Sequence, residues 1–404
     1  MNPLALVLAT MRRYRTAFLL FTLLVACAVA MGVAISAGER ALRSGSARAA
    51  DKFDLVVGAP GSRTDLVLAA IYLKPGTVPL LDGPTAATVL NDSRIKIAAP
   101  IGFGDHFKGA PVVGTVAAFV EYLSGGLAEG RMFASPQEAV AGANAPVKIG
   151  ESFRPQHGAD EPADGDDPEH EHPVDIKVVG RMKPTGTPWD HALTIPIELV
   201  WAVHGLPNGH ASGESRIGPP FDAARLPGLP AIVVKPASIN DAYGLRGLFK
   251  TNASMAFFPA EVLVEFYAAM GDVRSLMSTF AMIAEALVIL AVLAALAALF
   301  ALNRRQFLTL RVMGAPRAFI GLTIWIYVFT IVLGGALLGM ALGYGAAATL
   351  SAYVTAQTGV SLTATLGAPE FLGVAGFVLG GAILAILPSL IAAQAKIDDA
   401  LKQS

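Results

Sequence analysis

Four long apolar runs, unequally spaced, constrain the fold of this chain more than any other feature. The hydrocarbon core of a bilayer is about 30 Å thick, so a helix that crosses it needs roughly 20 mostly apolar residues. Runs of this kind predict membrane helices at 17–35, 278–302, 318–350 and 371–395. Their unequal spacing leaves one long segment, 36–277, which is long enough to form a domain of its own.

The positively charged residues of the short segments predict the orientation, because Lys and Arg are retained on the cytoplasmic side. Arginine precedes the first helix and fills the link 303–317, and lysine follows the last helix, whereas the link 351–370 has neither. We therefore expect both terminal segments, 1–16 and 396–404, to be cytoplasmic. The long segment 36–277 should then lie outside.

The composition supports a membrane protein and argues against other classes. Apolar residues make up 54% of the chain and charged residues 15%, and the mean hydropathy is +0.56, which is too apolar for an ordinary soluble enzyme. The net charge of −1 argues against a nucleic-acid partner. The single cysteine, Cys27, lies in the first apolar run, so no intrachain disulfide can stabilise the segment 36–277.

Cys27 allows a second interpretation, because the sequence LVAC at 24–27 is similar to the cleavage site of a bacterial lipoprotein signal. The apolar run nevertheless continues to Ile35, whereas a processed signal ends at its small-residue site. Cleavage would also move the basic link 303–317 to the wrong side of the membrane. We therefore favour a membrane helix.

The segment 36–277 alternates between short strand and helix patterns, with Pro and Gly at the turns. This alternation predicts a mixed α+β domain that ends in a helical stalk at 259–277. Strands are predicted at 53–57, 177–179 and 231–235, and helices at 86–91, 117–123 and 240–249.

Two motifs carry a resemblance to a known family. The link NRRQFLTLRVMGAPR at 303–317 resembles the cytoplasmic link of MacB- and FtsX-type ABC transporter permeases, and ILPSLIAAQAKIDDAL at 386–401 is similar to the end of those proteins. Weaker similarities to the periplasmic core domain of MacB lie at 129–133, 175–182 and 186–198. Family members often carry a Glu after the link, at a position where this chain has IWIY.

The resemblance implies an α-helical membrane protein with four transmembrane helices in 1+3 order and a large α+β periplasmic domain inserted between the first and second. It implies a subunit of the bacterial inner membrane that pairs with a second permease subunit, as a homodimer or with a related chain. A separate cytoplasmic ATPase would hold ATP and Mg²⁺ and drive movement of the periplasmic domain.

The link also predicts a docking surface on its own evidence. Leu310, Val312 and Met313 offer an apolar face that a groove on an ATPase could accept, and arginines would fix the register. The alternative is that the arginines only anchor the helices at the lipid headgroups. The candidate coupling residues are Arg304, Arg305, Leu310, Arg311, Met313, Gly314, Ala315 and Arg317.

Catalysis is not expected of this chain. The sequence has no G-x-x-x-x-G-K-[ST] phosphate loop, so ATP hydrolysis must come from a partner. Neither a Ser-His-Asp pattern nor an H-E-x-x-H pair is apparent, so we expect no enzyme active site.

Glycines recur every four residues in the last two apolar runs, a spacing that lets membrane helices approach closely. We expect helix packing at Gly335, Gly339, Gly343, Gly376 and Gly380, either within one subunit or across a dimer. Glu285 is the one charge in its run, and an interfacial position is favoured for it.

The segment 157–172, HGADEPADGDDPEHEH, combines three histidines with many carboxylates and has no large apolar residue. It cannot bury a core, so it predicts an external acidic loop. Imidazole and carboxylate are zinc ligands, and His157, His170 and His172 are candidates for a loosely bound ion. A plain solvated linker and a rigid site are the alternatives. The other histidines, His106, His191, His204 and His210, are expected to be ordinary surface or hydrogen-bonded residues.

Three functions therefore remain open. The first is a permease that exports or extracts a lipoprotein, lipid, peptide or metal-linked cargo. The second is a non-transporting regulator of a periplasmic cell-wall enzyme, and the third is a metal-responsive sensor. Expected partners are the ATPase, a second permease subunit, membrane lipids and a periplasmic protein or lipoprotein.

Overall fold

The computed structural model describes residues 2–74, 76–157, 172–302 and 309–393 and divides into two compact units. The membrane unit comprises Met1–Leu42, Ala269–Tyr353 and Thr363–Ser404. The sheet unit comprises Arg43–Ala268 and Val354–Leu362. The two units thus divide at 42/43 and 268/269, whereas the predicted membrane boundaries at 36 and 277 stay a prediction.

The helices of the described chain are, in order, α1 (Pro3–Arg13), α2 (Arg15–Ala50), α3 (Arg63–Ala70), α4 (Gly83–Leu90), α5 (Ala117–Ser124), α6 (Ile197–Val203), α7 (Ile239–Leu248), α8 (Pro259–Leu302), α9 (Arg317–Thr358), α10 (Ala368–Leu384) and α11 (Ile386–Ala393). The strands are β1 (Leu55–Gly58), β2 (Ile95–Phe107), β3 (Ala110–Thr115), β4 (Leu127–Gly130), β5 (Glu138–Ala141), β6 (Ser152–Phe153), β7 (Gln156–His157), β8 (Ile176–Met182), β9 (Leu193–Pro196), β10 (Ala231–Pro236) and β11 (Met255–Phe257).

Four stretches are long and apolar enough to cross a membrane: Arg15–Ala50, Ser275–Ala298, Arg317–Thr358 and Ala368–Leu390. They overlap the four predicted runs, in the predicted 1+3 order. The helices α2, α8 and α9 have 36, 44 and 42 residues. At about 1.5 Å per residue each is more than about 50 Å long and exceeds the hydrocarbon thickness of about 30 Å. Part of each helix therefore continues beyond the lipid.

The helix α9 is the centre of the membrane unit. Half of its apolar window is buried, against 22–28% for the other three spans. Tyr327 and Ile331 are almost inaccessible, and the indole of Trp325 donates a hydrogen bond of 2.9 Å to the carbonyl of Ala382 in α10. The other spans therefore keep more of their surface exposed.

The glycines Gly335, Gly339 and Gly343 of α9 face α2. A Cβ on Gly339 or Gly343 would lie 2.6 Å from the carbonyl oxygen of Ala26 or Ala30, so only glycine permits this approach. Within the described chain, a Cβ on Gly376 or Gly380 would meet nothing within 4 Å. Their role in helix packing thus stays a prediction.

The last span is interrupted at Ala385, between α10 and α11. Pro388 has no N–H to donate to the carbonyl of Leu384, four residues earlier, and its ring crowds that carbonyl. The predicted helix at 371–395 is thus two helical segments over its described part.

The sheet unit is built on an 11-stranded sheet whose main path runs β11-β1-β10-β2-β3-β9-β5-β8-β4, with β6 beside β8 and β7 beside β2. Most pairs are antiparallel, but β3 pairs with β9, and β5 with β8, in parallel. Apolar side chains of α3, α4 and α5 pack on β1, β2 and β10 to form the largest core cluster. The predicted α+β domain between the first two spans is therefore an α/β unit with a mixed sheet.

Candidate functional sites

The described part of the link begins with one helical turn, 309–312, that ends in a Schellman motif. The N–H of Ala315 donates to the carbonyl of Leu310, and the N–H of Gly314 donates to that of Arg311, both at 3.0 Å. Gly314 has φ +96°, which a residue with a Cβ rarely adopts. The GA pair of the motif thus closes the helical turn before α9 begins at Arg317.

The side chains of the link divide into a packed and an exposed set. Ala315 is buried and Leu310 packs against the apolar core of the membrane unit. Val312 and Met313 are 74% and 69% exposed, which makes them the apolar surface of the turn. Leu310 is only partly buried by this packing, so its role as a docking residue stays a prediction. Arg304 and Arg305 lie outside the described residues.

A second feature is the short segment Val354–Leu362, which follows the buried part of α9 and packs within the sheet unit. The N–H of Ser361 donates to the carbonyl of Gly186 at 3.0 Å. Gly359, with φ +72°, approaches so closely that a Cβ would lie 2.9 Å from Cα of Pro188. The segment is thus fitted to the turn at 185–191.

The turn at 185–191 is held by a buried carboxylate. Asp190 accepts hydrogen bonds from the backbone N–H groups of Thr185 and Gly186, each at 2.8 Å. The ring of Trp189 fills the core beside Phe53 and Phe119. The turn that receives the segment Val354–Leu362 is therefore rigidly attached to the sheet.

A third feature is a cluster of Asp105, His157, His172 and His204, which we call the histidine cluster. One potential ligand atom from each residue lies within 4.8 Å of the others. Asp105 of β2 and His157 of β7 are directly opposed in an antiparallel pair. His172 is fixed by its N–H, which donates to the carbonyl of Pro155 at 3.0 Å, and His204 caps the C-terminus of α6.

The distances in the histidine cluster are short. Nδ1 of His157 lies 2.8 Å and Nε2 of His172 lies 3.5 Å from Oδ1 of Asp105. The imidazole centroids of His157 and His172 are 4.2 Å apart, and those of His204 are 4.9 and 5.2 Å from them. Three imidazoles and one carboxylate thus converge on one point.

Half of the histidine cluster is buried. The side chain of Asp105 is 3% exposed and that of His172 is 11% exposed, whereas that of His157 is 42% exposed. Among the described residues, Oδ1 of Asp105 and Nε2 of His172 are buried without a hydrogen-bond partner, although His157 lies so near. Such atoms are costly unless a ligand satisfies them.

The sequence predicted part of this cluster. His157 and His172, the two ends of the acidic segment, are brought together, while His170 lies outside the described residues. Asp105 and His204 were missed, and His204 had been assigned to the ordinary residues. No local spacing connects them, because the sheet and α6 bring them together.

The remaining histidines lie outside the histidine cluster and have other neighbours. His210 is buried with Nε2 3.3 Å from Oε1 of Glu198, which also accepts the N–H of Gly218 at 2.6 Å. His106 and His191 line a cavity of about 410 Å³ together with part of the segment Val354–Leu362. Asp105 lines the same cavity, but among the described residues its ligand atom groups with those of His157, His172 and His204 rather than with those of His106 and His191.

The membrane unit contains two glutamates with inward-facing carboxyl groups. Glu370 is fully buried; its Oε1 lies 2.5 Å from the guanidinium of Arg40 and accepts the hydroxyl of Ser36 at 2.6 Å. Glu285 and Glu370 line one cavity of about 280 Å³, and the carboxyl of Glu285 reaches Gly32 of α2. Glu285 therefore faces α2, and its interfacial position in the membrane stays a prediction.

Comparison with known proteins identifies the C-terminal part of the chain. Residues 278–396 match the model of the family described as FtsX-like permease C-terminal. The match covers the last three spans and the link, and it confirms the resemblance that the two motifs predicted. The C-terminal part of the chain is thus similar to the FtsX-like permease family.

Two solved structures resemble the chain. The match with the periplasmic region of MacB from Actinobacillus actinomycetemcomitans covers 55% of this chain and 95% of the MacB chain, at 14% identity and a TM-score of 0.32. The match with the extracellular domain of the noncanonic ABC-type transporter YknZ from Gram-positive bacteria covers 50% of this chain and 98% of the YknZ chain, at 8% identity and a TM-score of 0.30. No curated protein matches the chain in sequence.

Proposed function

We propose that this chain, whose residues 278–396 are an FtsX-like permease region, is the membrane subunit of an ABC-type transporter in the bacterial inner membrane, with both termini cytoplasmic. The family match carries this proposal. A separate ATPase binds ATP and Mg²⁺, and its hydrolysis cycle moves the sheet unit. The cargo classes are those expected from the sequence: a lipoprotein, a lipid, a peptide or a metal-linked molecule.

The ATPase docks on the exposed side of the turn 309–312. Val312 and Met313 are the most exposed apolar side chains of the described link. Two exposed apolar residues on a rigid turn can insert into an apolar groove of the ATPase. Leu310 and Ala315 pack into the membrane unit on the other side of the turn. A push on Val312 and Met313 therefore acts directly on the spans.

Movement then passes along α9. This helix begins at Arg317, directly after the link, and ends at Thr358, within the segment that packs on the turn at 185–191. Packed helices transmit displacement because their interiors have low compressibility. Because Gly359 and Ser361 fit the turn closely, a shift of α9 displaces the sheet unit. A second permease subunit completes the transporter.

Co-purification tests the ATPase contact. The detergent-solubilised wild-type chain is expected to retain the ABC ATPase encoded beside it. The double variant Val312→Glu, Met313→Glu places two charges in the docking surface, and we expect it to lose at least about 90% of the ATPase, since desolvating unpaired charges costs several kcal/mol. Retention of the ATPase at the wild-type level would contradict the proposed docking surface.

A matched control uses exposed apolar residues of the sheet unit. Ile239 and Leu248 of α7 are 81% and 52% exposed, so Ile239→Glu, Leu248→Glu adds the same charge at similar exposure. This variant is expected to bind the ATPase as the wild type does. If no ATPase accompanies even the wild-type chain, the assignment as a transporter subunit fails.

A further inference from the structure

We propose that the histidine cluster is a binding site for one zinc ion, with Asp105, His157, His172 and His204 as its ligands. The site lies wholly in the sheet unit and is independent of the family match. Its function is binding rather than hydrolysis, because four protein ligands fill a tetrahedral shell and leave no position for a reactive water.

The donor set selects the class of metal. Three imidazole nitrogens and one carboxylate oxygen suit Zn²⁺ and related transition-metal ions, whereas Ca²⁺ and Mg²⁺ prefer shells made of oxygen. The sequence offers no cysteine nearby, since Cys27 lies in α2. A thiolate-rich site of the zinc-finger kind is therefore excluded for this cluster.

The spacing is close to that of a tetrahedral ion. Zinc lies about 2.0–2.1 Å from each nitrogen or oxygen, so the ligand atoms of a tetrahedron are about 3.4 Å apart. The separations of 2.8 and 3.5 Å from Asp105 bracket that value, and the widest pair in the cluster is within 4.8 Å. Zinc would therefore draw in the wider side chains by about 1 Å and leave the strands in place.

The surroundings already orient three of the four ligands. Nδ1 of His204 lies 2.6 Å from the carbonyl of Val200, and as an N–H donor it leaves Nε2 free to bind a metal. Backbone pairing of β2 with β7 fixes Asp105 opposite His157. Holding ligands through such outer contacts is how metal sites are preorganised.

Burial gives a second, independent reason for a ligand. Asp105 and His172 are 6% and 9% exposed, and their facing atoms Oδ1 and Nε2 lie 3.5 Å apart without a well-formed hydrogen bond among the described residues, with Nδ1 of His157 2.8 Å from the same Oδ1. A cation between them would satisfy both atoms at once. The exposed rings of His157 and His204 leave a path from solvent.

Zinc titration of the full-length chain in detergent, with a chromogenic chelator as competitor, tests the site. We expect the wild type to bind one Zn²⁺, and His157→Ala and His204→Ala to weaken binding at least about 100-fold, since outer-shell changes alone cost 10–100-fold. Co²⁺ in the wild type should show the visible absorption of a tetrahedral ion.

The matched control is His170→Ala, which changes a histidine of the same acidic segment that is not one of the four proposed ligands and should bind Zn²⁺ as the wild type does. Equal loss in His170→Ala and His204→Ala would instead indicate collection by the acidic segment and overturn the proposal. Wild-type affinity in both His157→Ala and His204→Ala, or no binding by the wild type, would overturn it too. If metal-free His204→Ala melts lower than the wild type, His204→Gln provides the same test.

Discussion

At the scale of single residues, two glutamates show how burial sets the cost of losing an ion-pair partner. Glu370 is fully buried in the membrane unit and depends on Arg40, Ser36 and the N–H of Gly367. Glu138 lies near the surface of the sheet unit, where Arg131 and the N–H of Ala134 bind it. Loss of the partner should therefore be severe for Glu370 and mild for Glu138.

Replacement of Arg40 tests the buried ion pair. Arg40→Met leaves the carboxylate of Glu370 buried without its cation, and we expect a loss of about 3 kcal/mol of stability. Arg40→Lys retains a positive charge and should recover part of it. Thermal unfolding followed by size-exclusion chromatography in detergent measures both, and equal melting temperatures for Arg40→Met and the wild type would show that the pair is not required.

Glu138 predicts a dependence on pH. Hydrogen bonds from Arg131 lower the pKa of Glu138 to about 2. A carboxyl whose folded pKa is depressed binds its proton more readily when unfolded, so its stabilisation is complete above about pH 4.5 and is lost as the pH falls toward 2. Because Arg131 is 57% exposed, solvent screens the pair and the effect is small.

The variant Glu138→Gln should therefore melt about 2 °C below the wild type at pH 7, and the difference should shrink at pH 3. Glu129→Gln, at an exposed glutamate of β4, is the control and should melt like the wild type at both values. A difference for Glu138→Gln that grows on acidification has the wrong sign for this account.

At the scale of elements, the sequence located the apolar runs but not the ends of their helices. Hydropathy reports where lipid contact stops, whereas α2 continues to Ala50 because 36–50 has no proline and is rich in Ala and Arg. Likewise, the glycine spacing could not tell packing within a subunit from packing between subunits. The structure places only the glycines of α9 against α2.

Valine substitutions test whether the glycines of α9, unlike those of α10, are needed for packing against α2. Gly339→Val drives a side chain into the backbone of α2, where a Cβ alone would lie 2.6 Å from the oxygen of Ala26, and should cost about 3 kcal/mol. A Cβ at Gly376 meets no described atom within 4 Å, so Gly376→Val should fold normally. Equal melting temperatures for Gly339→Val and the wild type would argue against the α2–α9 contact. Loss of oligomers in Gly376→Val alone would assign its face to a second subunit.

The histidine cluster shows a limit of the same kind. Histidine at both ends of an acidic segment identified His157 and His172 as candidate ligands. Asp105 is 52 residues before His157 in the chain, and His204 is 32 residues after His172, so only strand pairing and the end of α6 could bring them in. Metal ligands that lie in one segment can therefore be predicted from the sequence more readily than ligands that only the tertiary structure brings together.

At the scale of the whole molecule, the proposed function requires that an event at the link reaches the sheet unit. The link supplies an exposed apolar turn, α9 supplies a continuous helix, and the segment Val354–Leu362 supplies a close fit to the turn at 185–191. Each part is present on the described chain. The proposed transmission requires all three parts to move together.

Hydrogen exchange on the reconstituted transporter tests this claim most directly. The amides of 185–191 and 354–362 should exchange at different rates with ATP and with ADP on the ATPase, and Val312→Glu, Met313→Glu should abolish the difference. Identical exchange of both segments in the two nucleotide states, with an ATPase that is bound and active, would contradict transmission through α9.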